Sequence, residues 1–140
     1  MLEINGIAVS SGIAVAKAYC LIEPDLSFEK VKVTDIDAEK SRLKEAYEKS
    51  KLELEEIRDI AHTKFGEEKA AIFSAHLLLL GDPEMLGAIE AKIDDGWNAE
   101  ASLQETATMY IDMFEEMDND YMQERAADIR DVSTRLLSHL

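Results

Sequence analysis

From Thr34 onward the apolar positions of this chain recur at steps of three and four, the period of a helix that buries one stripe. Thr34-Asp35-Ile36-Asp37 reads as a capping-box start, with the Thr34 hydroxyl set for orphan amides and a carboxylate three residues on. The helix it opens carries Leu43, Tyr47, Ser50, Leu54, Ile57 and Ala61 inward and Glu and Lys outward, and it ends near Gly66. A second helix covers about Glu67 to Leu80 and stops at Gly81. Asp82 then serves as N-cap and Pro83 as first residue of a third, which runs to about Asp95 before Gly96. Asn98 caps a fourth, with Leu103, Ala107, Tyr110, Phe114 and Met117 on its seam. After the break Asp118-Asn119-Asp120, a fifth turns Met122, Ala126, Ile129, Val132 and Leu136 inward. Short polar breaks between amphipathic helices predict an all-α fold, an up-and-down four-helix bundle in which the second and third segments form one helix kinked near Gly81-Pro83.

Before residue 34 the pattern changes. "GIAVSSGIAVAKAYCLI" and "VKVT" are β-branched and small residues, read as one or two short strands with a turn at Ser10-Ser11-Gly12. A lone hairpin-sized arm is not stable by itself and wants a sheet, which nothing later in the chain offers. Residues 1–33 are therefore expected to be poorly ordered or to pair with another chain, and residues 34–140 to form the helical unit.

The second helix departs from the one-stripe rule. On a wheel of "EEKAAIFSAHLLLL", Ala70, Phe73, Leu77 and Leu80 share one side, Glu68, Ile72, Ala75 and Leu79 another, and Ala71, Ser74 and Leu78 fill most of the rest. Periodicity alone leaves two readings open: a core helix covered on both sides, or a second apolar stripe that awaits a partner. His76 stands among these leucines with no orienting acid at helical spacing. His62, near a helix C-terminus, suits the helix dipole, and His139 carries no signal.

Charge narrows the function. Thirty acidic residues against 15 basic ones give a formal net charge of −15, which argues against a phosphate-reading nucleic-acid binder and favours a basic partner or simply high solubility. One cysteine, Cys20, permits no disulfide framework within the chain and reads as a small buried hydrophobe. No apolar run reaches membrane-spanning length, and the N-terminus lacks the basic start of a signal peptide, so a cytoplasmic protein is expected. No metal-ligand spacing, P-loop, dinucleotide fingerprint or nucleophile elbow occurs. Acidic pairs such as Glu55-Glu56 and Glu115-Glu116 read as solvated faces, and Met109, Met113, Met117 and Met122 read as core or, less often for such a cluster, as an adaptable binding surface.

Three segments together carry a family pattern: "GIAVSSGIAVAKAY", "FGEEKAAIFSAHLLLLGDPEM" and "YMQERAADIRDVSTRLL". Across essentially all 140 residues the chain resembles the N-terminal part of enzyme I, the phosphoenolpyruvate-protein phosphotransferase of the bacterial sugar phosphotransferase system. Ser11 departs from the pattern at a turn position where many members have proline. The resemblance implies a parent enzyme that takes a phosphoryl group from phosphoenolpyruvate onto a histidine, with magnesium, and passes it to the carrier HPr. It implies further that residues 1–33 are an arm of an α/β phosphohistidine subdomain and that residues 34–140 are the HPr-docking bundle. The G-G-[RK]-T-S-H motif of the phosphorylated histidine does not occur in this sequence, so no catalytic residue and no cofactor are assigned to it. The parent is expected to be a homodimer through a C-terminal domain.

Under that resemblance the second stripe becomes a landing site. Ala71, Ala75, Leu78 and Leu79 are its expected apolar contacts, Glu67, Glu68, Asp82 and Glu84 its acidic rim, and His76 a contact on that rim. Tyr121, Met122 and Arg125 border the same groove, and Lys69 and Arg125 are the cations placed to meet a phosphoryl group. Two other readings stand beside this one. One is a helical adaptor unrelated to phosphoryl transfer. The other is a different member of the superfamily: a nitrogen-branch enzyme I, a carrier-fused dihydroxyacetone kinase subunit or a dikinase.

Overall fold

A computed structural model describes all 140 residues. It contains five helices: α1 (Ile36–Phe65), α2 (Glu67–Leu80), α3 (Pro83–Asp94), α4 (Ala99–Glu115) and α5 (Asp120–Leu137). At 1.5 Å per residue α1 is about 45 Å long, and α2 and α3 together cover about 39 Å, so the pair runs back along most of α1. The turn between α1 and α2 is one residue, Gly66, at φ 85° and ψ 177°. That backbone region is essentially reserved for glycine, although the space beside Gly66 is open. The break expected at Gly81-Pro83 is a true interruption. Asp82 Oδ1 accepts from the Glu84 and Met85 amides at 2.9 Å each, and α3 leaves α2 at 42°. The chain thus has five separate helices where four, one of them kinked, were expected. No single helix is long and apolar enough to cross a membrane.

One core joins the helices. Leu43 and Leu54 of α1, Ile89 and Ile93 of α3, Leu103 of α4 and Ile129, Val132 and Leu136 of α5 are all buried in it. Tyr47, Tyr110 and Phe114 are only partly buried and pack against it, and Met122 is half-buried. The expected α4 seam fails at its end, because Met117 is exposed, as are Met109 and Met113. Those methionines lie on the side of α4 that no other helix covers.

Two helix starts differ from the sequence reading in detail. Asp35, not Thr34, caps α1, its carboxylate accepting from the Ala38 amide at 2.9 Å. Asn98 precedes α4 without capping it. The cap comes instead from buried Glu39 of α1, whose Oε1 accepts from the Ala99 amide at 2.7 Å. Arg42 secures that carboxylate at 2.6 Å and also donates to Glu100 at 2.5 Å and to the Leu140 carbonyl at 2.7 Å.

No strand forms before α1. A single antiparallel bridge, Lys32 to Trp97, is the only β pairing. It is part of a strap. Asn98 Oδ1 accepts from the Val31 amide at 3.1 Å, Asn98 Nδ2 donates to the Glu29 carbonyl at 3.0 Å, and the Val33 amide donates to Gly96 O at 2.9 Å. Lys30 and Lys32 place their ammonium groups 4.1 and 3.8 Å from the Trp97 ring centroid. Residues 29–33 are thereby fastened to the α3–α4 corner, and the strand-like residues before them have no sheet edge to join. Cys20, expected to be buried, is exposed for the same reason.

Candidate docking surface

The face of α2 turned away from the core is apolar and bare. Ala70 and Leu80 are buried, and Phe73 and Leu77 pack against the core, so the first stripe is the inward one. On the opposite side Ala71 is exposed, Ile72 is 51% exposed and Leu78 is 79% exposed, with Ala75 half-buried between them. Leaving Leu78 in water forgoes roughly 2 kcal/mol of transfer free energy, so burial in the core does not account for a leucine there. Leu79 leans inward and opens a cleft of about 140 Å³ at the α2–α3 bend, walled by Met85, Tyr110, Phe114 and Ile129 and edged by Asp82 and Glu84.

Acidic groups surround this strip. Glu67 and Glu68 occupy the first turn of α2, where they also complement the helix dipole, and both are exposed. Glu84 is exposed in the first turn of α3. Asp82 is half-buried and engaged in capping α3, so it is a fixed charge and not a mobile steering group. Lys69 is exposed and makes no ion pair.

The α5 contribution sits along one stripe of that helix. Tyr121 is 60% exposed, and the Arg125 guanidinium carbon lies 5.1 Å from its ring centroid. Arg125 Nη2 is 2.9 Å from Asp128 Oδ2 as an ion pair, off the line of a good hydrogen bond. Met122 is half-buried beside them in sequence.

His76 is not on the rim. It is 7% exposed, packed edge-on to Phe73, and its Nε2–H donates to Asp128 Oδ1 at 3.1 Å, since a carboxylate only accepts. The orienting acid absent from helical spacing is supplied by α5, 52 residues away. Asp128 and Ile72 are the site residues that the sequence reading missed. The Arg125–Asp128 spacing was a legible signal for the first, whereas the His76 link crosses helices and leaves none. His139 also gains a partner, with Nε2 3.0 Å from Glu53 Oε1.

No three His, Cys, Asp or Glu side chains converge in a way that could hold a metal. What the surface can do is bind: an apolar strip and cleft, an acidic border and one partly exposed guanidinium.

Comparison with known proteins identifies the family. The family model described as "PEP-utilising enzyme, N-terminal" matches residues 5–125, and the chain belongs to that family. It is 58% identical over 139 residues to the phosphoenolpyruvate-protein phosphotransferase of Listeria innocua, covering 99% of this chain and 24% of that protein. With the Bacillus subtilis protein of the same name it shares 55% identity over 141 residues, 100% of this chain and 25% of the relative. The chain therefore spans about a quarter of the length of the curated relatives it matches. Among solved structures it resembles the solution structure titled Enzyme I (nEIt), at TM-score 0.79 and 29% identity, over 83% of this chain and 48% of that one. It also resembles the "N-terminal domain of Enzyme 1 - Nitrogen", at TM-score 0.74 and 28% identity, over 80% of this chain and 47% of that one.

Proposed function

We propose that this chain is the docking module through which a phosphoenolpyruvate-protein phosphotransferase engages the phosphocarrier HPr. The observation that carries the reading is the bare strip Ala71, Ile72, Ala75 and Leu78 beside the Leu79 cleft, bordered by Glu67, Glu68, Asp82 and Glu84. An apolar centre with an acidic border suits a small basic-faced partner that must bind and leave, with charge setting the encounter rate and the apolar contact setting the lifetime. Lys69, on the His76 side of α2, and Arg125, on α5, supply positive charge for a phosphoryl group on that partner.

In this reading residues 1–33 add to the sheet of an α/β subdomain that carries the phosphohistidine. Their uncovered apolar side chains, Ile7, Val9, Ile13 and Val15 among them, support that role. Phosphoenolpyruvate, magnesium and dimer contacts belong to further parts of such an enzyme, acting in the cytoplasm. The test is a titration of isotope-labelled HPr with this chain. Shift changes confined to one HPr face, at submillimolar affinity and weakened by salt, are expected. No perturbation at millimolar concentration would leave only a helical adaptor for some other protein.

A further inference from the structure

Tyr121, Arg125 and Asp128 follow one another at i, i+4 and i+7 on α5, which puts them on one stripe. Arg125 lies between the other two: its guanidinium is over the Tyr121 ring at 5.1 Å, and its Nη2 is 2.9 Å from Asp128 Oδ2. The second oxygen of Asp128 is not free to swing, because it accepts from the buried His76 of α2 at 3.1 Å. The side chains of Asp128 and His76 are 10% and 9% exposed, whereas that of Arg125 is 29% exposed. Two nearly buried groups thus hold one partly exposed cation at the α2–α5 seam.

We infer that Asp128, itself fixed by His76 across the α2–α5 seam, is the positioning residue that orders Arg125 for the docking partner. An unrestrained arginine samples many rotamers and must surrender them on binding. With the carboxylate below and the aromatic ring beside it, that ordering is completed when the chain folds. Here the cation is tied through Asp128 to His76 of α2, the helix that carries the apolar strip, and the inference rests on the docking reading for its effect on affinity.

Two measurements test it. In HPr binding at fixed salt, Arg125→Ala is expected to weaken affinity about tenfold and Asp128→Asn about fivefold, the freed rotamers of one long side chain. The double variant should bind no more weakly than Arg125→Ala alone, because Asp128 acts only through Arg125. Losses that multiply, or an Asp128→Asn affinity within experimental error of wild type, overturn the inference. The second measurement needs no partner and no variant. The Arg125 Nη resonances of the wild-type chain should be separate, as hindered guanidinium rotation requires, and a single averaged resonance overturns the inference even if Asp128→Asn does not fold. If wild type fails to bind HPr, the docking reading falls, and the arginine resonances still decide whether Asp128 orders Arg125.

Discussion

Glu39 Oε1 accepts a hydrogen bond from the Ala99 amide at 2.7 Å, so the carboxylate that closes the start of α4 belongs to α1, sixty residues earlier. The same oxygen is 2.6 Å from Arg42, which also reaches Glu100 and the Leu140 carbonyl. Glu39→Ala removes the cap, leaves a buried amide unpaired and strips Arg42 of a partner. We expect a loss of about 2–3 kcal/mol in denaturant unfolding, and Glu39→Gln, which keeps an acceptor oxygen, to lose about 1 kcal/mol.

Glu100 gives the chain an acid sensitivity. Burial pushes its carboxyl up, but the Arg42 guanidinium, the local backbone and Asn98 together hold it below the ordinary glutamate value of 4.5. Glu53 is likewise lowered, chiefly by His139 and then Arg135 against a burial effect of opposite sign. A carboxylate with a folded-state pKa below its unfolded one favours the native state above the unfolded value, and that contribution disappears as pH falls through the folded value. Melting temperature should therefore drop as pH falls from about 5 through the region below 4.5, and Glu100→Gln should flatten the drop.

Asn98→Ala tests the strap. It removes the acceptor for the Val31 amide and the donor to the Glu29 carbonyl. Hydrogen exchange at Val31 should quicken and Trp97 fluorescence should shift as Lys30 and Lys32 leave its ring, at a cost of about 1–2 kcal/mol. Helix content should not change.

Leu78→Ser separates docking from folding. At 79% exposure the side chain contributes little to the core, so unfolding free energy should stay within about 0.5 kcal/mol of wild type. HPr affinity should fall at least tenfold. A variant that melts early would mean that Leu78 serves the fold.

Incubation of the chain with phosphoenolpyruvate and magnesium should leave its mass unchanged, since none of His62, His76 and His139 stands in a T-S-H context. A gain of one phosphoryl group would contradict that reading.

Helix positions were legible because each break carries its own chemistry: Gly66, Gly81-Asp82-Pro83, Gly96 and Asn119 all punctuate where expected. The second stripe on α2 was legible too, since a helix apolar on both sides shows in any wheel. What escaped was every contact made between elements. Asp128 meets His76 across 52 residues and Glu39 caps α4 across 60, and neither partner pair has a spacing that a one-dimensional reading could register. Cys20 and the methionines of α4 were misjudged for a related reason. Composition says that such residues are usually covered, and only the packing shows that nothing here covers them.

The bend between α2 and α3 bears on the shape of anything that sits there. Because Asp82 locks the first turn of α3 at 42° to α2, the two segments cannot be brought into line without uncapping one of them. A flat plate laid along α2 would part from α3, while the hollow beside Leu79 and Phe114 lies at the elbow itself. If the docking proposal holds, a matching molecule needs a knuckle, so that shape as well as charge sorts the right visitor from the wrong one.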